Sequence, residues 1–147
     1  MHFPLLPRTC TIVLTVGGLS STKKETLGLK KKTKTIYLAG PMRGIKDFNF
    51  PAFYAQTDKL LSEGWVVFNP AERDDRVNGK GVNKSDTGDL EEAVQKGFSL
   101  REALADDTQF ITLHATAICM LPGWETSKGA VAEKALAEAL GLDILYA

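Results

Sequence analysis

Four short apolar runs, each separated from the next by a stretch of helical character, constrain this chain more than any other feature. The runs are Ile36-Tyr37-Leu38-Ala39, Trp65-Val66-Val67-Phe68, Thr116–Leu121 and Leu142–Tyr146. Each is too short for a helix and is closed by a turn signal or by the chain end, as buried strands are. Between the first two, Ala52, Phe53, Gln56, Leu60 and Leu61 follow helical spacing after Pro51, with Asn49 or Phe50 before it, and Gly64 closes the pattern. Leu90–His114 reads as helix broken near Gly97, with Ser99 as a cap, and Ala130–Leu140 as a helix ended by Gly141. Residues 71–89 are polar, without a period, and are expected to form a long loop. Strands alternating with helices imply a three-layer α/β sandwich, a mostly parallel sheet of four to five strands with helices on both faces. Ligands in such sheets bind beyond the carboxyl ends of the strands. The loops expected there are Gly40–Gly44, Asn69–Asp75 and Pro122–Gly129.

Charge divides the chain in two. Residues 1–35 carry seven Lys/Arg and one acid, against 11 basic and 17 acidic residues in the remainder. Residues 1–34 are expected to be a disordered basic leader and 35–147 the folded domain. The leader lysines read as solvating charge, so nucleic acid is not an expected partner; a nucleic-acid role would rest on Lys23–Lys34. Cys10 and Cys119 have no metal-ligand spacing, so neither a metal nor a cofactor is implied, and a reducing cytoplasm is the expected compartment. No apolar run is long enough to span a membrane.

Two segments carry chemistry. Gly40-Pro41-Met42-Arg43-Gly44 follows a strand and suits an anion, but it lacks the middle glycine of the dinucleotide fingerprint, which disfavours a classical nicotinamide dehydrogenase. In the last helix Glu133 shares a stripe with Gly129, Ala130, Ala137 and Leu140, while Lys134 and Glu138 lie on the solvent side. A carboxylate on a small apolar stripe is costly unless paired or used. Pairing with Arg43 at the core rim is the structural alternative to catalysis. Asp106 or Asp107, expected near a helix end, would supply the second carboxyl that glycosidic chemistry needs. Trp124 and Phe48 are candidates for stacking on a base or for packing, and His114 reads as structural.

These segments, with Phe48-Asn49-Phe50-Pro51, Phe68-Asn69-Pro70-Ala71-Glu72 and Leu121-Pro122-Gly123-Trp124-Glu125, resemble a small family found in bacteriophages and bacteria. That family looks like a branch of the nucleoside 2-deoxyribosyltransferase superfamily, which includes the 2'-deoxynucleoside 5'-phosphate N-hydrolases. The resemblance covers about residues 35–147. It implies a Rossmann-like, flavodoxin-like fold and Glu133 as nucleophile. It implies Asp107, or Asp106 with a slipped register, acting near the leaving base, and Tyr37 orienting Glu133. It further implies Gly40, Arg43, Gly44, Asn69, Ser127 and Gly129 around sugar and phosphate. The implied ligand is a nucleoside or its 5'-monophosphate, and the implied assembly a homo-oligomer. Thr116 stands where relatives often carry Asp, and the Trp124 loop differs from the hydrolases. Two alternatives stay open: a nucleotide-binding protein without chemistry, and an NAD-glycohydrolase-like enzyme.

Overall fold

The computed structural model describes residues 33–79 and 81–147. The expected leader therefore lies almost wholly outside the described residues. Four strands form one parallel sheet: β1 (Thr35–Ala39), β2 (Val66–Phe68), β3 (Ala117–Met120) and β4 (Asp143–Tyr146). Their spatial order is β2-β1-β3-β4. Tyr37 on β1 is paired with Phe68 on one side and Ile118 on the other. β1 and β3 are buried along nearly their whole length, which is why their sequences are continuous apolar runs rather than alternating ones.

Five α-helices accompany the strands: α1 (Phe50–Ser62), α2 (Pro70–Asn78), α3 (Leu90–Gln95), α4 (Leu100–Leu113) and α5 (Lys128–Ala139). The sheet separates two apolar clusters. Ile36, Leu38, Ala117 and Cys119 pack with Phe53 and Leu60 of α1 on one face. Tyr37, Ala39, Ile118 and Met120 pack with Ile111 of α4 and with Ala130 and Ala137 of α5 on the other. Period-two alternation along β1 and β3 thus assigns each residue to a face. The result is the Rossmann-like three-layer α/β sandwich expected from the sequence, with four strands. Among the described residues no helix is long and apolar enough to cross a membrane.

Helix boundaries follow local chemistry. Asn69 caps α2 by accepting from the Ala71 N–H at 2.9 Å, with Pro70 in the first position. Ser99 caps α4 and Ser127 caps α5, accepting from the N–H groups of Glu102 and Ala130. The break at Gly97 falls where expected, between α3 and α4. Two expectations are corrected. Residues 71–89 are not all loop, because α2 occupies their first half; it buries only Pro70, Ala71, Arg73 and Asp74 and so shows no apolar stripe. Asp106 and Asp107 do not end a helix, since α4 continues to Leu113.

The loop from β1 to α1 is held by the segment before α3. Gly44 N–H donates to Gly88 O at 3.0 Å and Asp47 N–H to Ser85 O at 2.7 Å. Gly88 has φ of +67°, and a Cβ there would stand 2.2 Å from Ile45 O, so only glycine allows the approach. Asp47, Phe48 and Asn49 all have positive φ, a left-handed turn that delivers Phe48 inward. The Asn49 side chain supports it by donating to Pro41 O at 2.9 Å.

Candidate active site

A cleft of about 800 Å³, counted out to its open mouth, lies at the carboxyl end of the sheet. It sits where the chain leaves β1 for one side and β3 for the other, the switch point at which open α/β sheets bind ligands.

Glu133 projects into this cleft from the second turn of α5 and is only 8% exposed. Its inward position comes from the small stripe of Ala130 and Ala137, both buried. Its partner is Tyr37, whose hydroxyl donates to Glu133 Oε1 at 2.8 Å. The alternative pairing with Arg43 is not formed: Arg43 is exposed at the cleft and makes no ion pair among the described residues. Tyr37 reaches Glu133 because even-spaced β1 residues face α5, and it is itself fully buried.

Asp107 enters the same cleft from α4, with 6% exposure. Its Oδ1 is buried without a hydrogen-bond partner among the described residues. Asp106 points elsewhere, accepting both Nε and Nη2 of Arg73 at 2.8 and 2.6 Å. Of the two, Asp107 is the one that lines the cleft.

Burial dominates the electrostatics. It pushes the Glu133 carboxyl up to about 7, against the Tyr37 hydrogen bond, which favours the ionised form. Asp107 is pushed up to about 8, by burial first and then by the charges of Glu133 and Asp74. Tyr37 is held well above its ordinary range by burial and by the two carboxylates, so it remains a hydroxyl donor. Both carboxyls are thus raised, and the charge of one disfavours ionising the other. One ionised and one protonated carboxyl in one cleft is the division of labour that acid–nucleophile chemistry requires.

Ser127, Gly129, Gly40 and Arg43 also line the cleft. Ser127 Oγ accepts from Ala130 N–H, and its own hydroxyl hydrogen, at the N-terminus of α5, has no acceptor among the described residues. Gly40 cannot be larger, because a Cβ would meet Leu121 Cβ at 2.7 Å. Two expected ligand residues stand outside. Gly44 is not part of the lining and is engaged with Gly88; Asn69 is buried as the cap of α2. Phe48 belongs to the cleft wall, whereas Trp124 packs on Tyr146 and beneath Lys134. Thr116 lies at the opposite end of the strands, away from the cleft, accepting from Thr35 N–H and donating to Thr35 O. His114 closes α4 and rests against Phe110, as a structural residue would.

Residues 34–146 match the model of a family described as Domain of unknown function (DUF4406). The chain belongs to this family. No curated protein and no solved structure matches it. The matched span of this DUF4406 domain contains every cleft residue described above.

The sequence reading of the DUF4406 cleft missed Arg73, Asp74 and Asn83. All three are buried, and Asp74 and Asn83 line the cleft. Asp74 accepts from Arg73 Nη1 at 2.9 Å, so one guanidinium joins it to Asp106. Burial raises the Asp74 carboxyl, with Arg73 opposing. The available signal was the Asn69-Pro70 dipeptide, which is a helix start as much as a strand stop.

The Tyr37–Glu133 bond carries a direct prediction. Tyr37→Phe removes the donor that favours ionised Glu133, so the Glu133 carboxyl will titrate higher. Carboxyl-labelled NMR of wild type and variant reads this directly. An unmoved Glu133 resonance profile would show that the hydroxyl does not act on that carboxyl.

Proposed function

We propose that this protein cleaves or exchanges the N-glycosidic bond of a nucleoside or its 5'-monophosphate, with Glu133 as nucleophile and Asp107 as general acid. The observation that carries the reading is the pairing, inside one cleft, of a buried Glu133 held by Tyr37 with a buried Asp107 whose Oδ1 has no hydrogen-bond partner among the described residues. A buried carboxyl oxygen kept unpaired is costly, and such costs are retained where they serve chemistry.

Ionised Glu133 attacks the anomeric carbon as the carbon–nitrogen bond breaks, and the bonding pair leaves with the base. Asp107 gives its proton to the departing nitrogen. A sugar ester on Glu133 remains. Water, losing a proton to the Asp107 carboxylate, hydrolyses the ester to free sugar; a second base in place of water yields an exchanged nucleoside. Tyr37 holds the Glu133 carboxylate through the first step. Ser127, the Gly129 backbone and Arg43 supply donors and charge suited to a 5'-phosphate near the start of α5. Phe48, Phe50, Phe53 and Phe98 give the cleft an aromatic wall against which a base can lie.

Base release is the test. The full chain is incubated with deoxynucleosides, their 5'-monophosphates and NAD, and free base is followed by chromatography. Release of a nucleobase supports the reading. Release of nicotinamide alone would redirect it to NAD. Ligand-induced rise in Tm without release would replace it with nucleotide binding. The resemblance that suggests a homo-oligomer is tested separately, by light scattering of the purified chain.

A further inference from the structure

The wall formed by α2 and the segment after it is rich in acceptors. Asp74 is 6% exposed and lines the cleft. One of its oxygens, Oδ1, is taken by Arg73 Nη1; among the described residues Oδ2 has no partner. Asn83 is 8% exposed and lines the same wall. Its amide nitrogen donates to Asp75 Oδ1, which turns its carbonyl oxygen into the free end, and that oxygen too has no partner among the described residues. Two acceptor oxygens on this wall, which also carries Val82, Leu90 and Leu104, thus have no protein partner among the described residues, and neither is sealed from solvent, so both stay open to a donor on a ligand.

Position decides which part of a ligand they meet. The charge of Asp74 acts on the Asp107 carboxyl, so the acceptor wall lies on the Asp107 side of the cleft. On the proposed chemistry Asp107 protonates the leaving base, so the base occupies this side. We propose that Asp74 and Asn83 read the exocyclic amino group of the leaving base, so that nucleotides with an amino group at the position facing this wall are preferred over those with an oxo group or a hydrogen there. An amino group presents hydrogens to Asp74 Oδ2 and the Asn83 carbonyl. An oxo group in that place would set oxygen against oxygen, with no donor to match the three acceptors.

This inference rests on the glycosidic reading for the orientation of the ligand, and calorimetry separates the two. Affinities are measured for matched 5'-monophosphates: deoxyadenosine and deoxyguanosine against deoxyinosine, and deoxycytidine against deoxyuridine. Base release is recorded in parallel. We expect at least one amino-bearing member to bind about tenfold or more tightly than its oxo or amino-lacking partner, the scale of one matched buried hydrogen bond. Asp74→Asn, whose side-chain amide can turn its nitrogen toward the ligand, will bring that ratio near one. Asn83→Ala, which leaves the Arg73 pair alone, will reduce the ratio. Amino preference with no base released supports the wall and overturns the glycosidic reading. Equal affinity within every pair, or a ratio unchanged in both variants, overturns the wall and leaves the glycosidic reading to stand on release alone.

Discussion

Glu133→Gln will lower base release by about six orders of magnitude, the scale seen when a covalent nucleophile is removed. The amide keeps the shape of the side chain and still offers an oxygen to the Tyr37 hydroxyl, so the 2.8 Å contact has a replacement acceptor. What it loses is the negative charge and the lone pair that attacks. Folding is expected to survive, because the wild-type carboxyl is already near neutrality, pushed up to about 7 by burial. Nucleotide affinity will change little, since a nucleophile contributes mostly after the ground state. Steady-state release on wild type and variant, with calorimetry for binding, separates chemistry from recognition. A Gln variant that turns over normally would remove Glu133 from the mechanism and leave the Tyr37–Glu133 pair as a structural contact.

The same pair predicts the shape of the wild-type pH profile. Release rises as Glu133 ionises, near 7, and falls as Asp107 loses its proton, near 8. The optimum is therefore narrow and slightly alkaline.

How much of this was legible from residues alone differs between elements. β1 and β3 were readable because both are buried on both faces and so are unbroken apolar runs. Glu133 was readable because its stripe is otherwise small and apolar, which no solvent-facing glutamate needs. α2 was not, because a helix that buries mainly Arg73 and Asp74 carries its packing in ion pairs, and ion pairs leave no hydrophobic period. Losing α2 meant losing the acceptor wall of Asp74 and Asn83 with it. Asn69 stands at the end of a strand, where ligand residues collect, and its Oδ1 caps the helix that composition hid, while its Nδ2 is buried without a partner among the described residues. Asp106 and Asp107 were indistinguishable as adjacent letters. The 100° between successive helical positions sends one to Arg73 and the other into the cleft.

Asp107→Asn will make the protein more stable while stopping catalysis, and the gain will depend on pH. In the unfolded chain this aspartate ionises near its ordinary value of 3.8; in the fold burial and the neighbouring charges of Glu133 and Asp74 hold its proton up to about 8. Between those two values the unfolded state releases a proton that the native state keeps. Ionisation then favours unfolding, so native stability falls as pH rises through the window and levels off above it. Each unit of displacement is worth about 1.4 kcal/mol. Water entering an open cleft softens the full amount, so about 3 kcal/mol at neutral pH is the expected penalty. Asparagine cannot ionise and is expected to recover most of it. Urea titrations will show wild type and variant close together near pH 4 and separating progressively toward pH 8. Base release by the variant will be lost across the range, because no proton is available for the leaving nitrogen. A variant less stable than wild type at pH 8 would mean that the Asp107 carboxylate is satisfied in the fold, and would take away the argument that its burial is kept for chemistry.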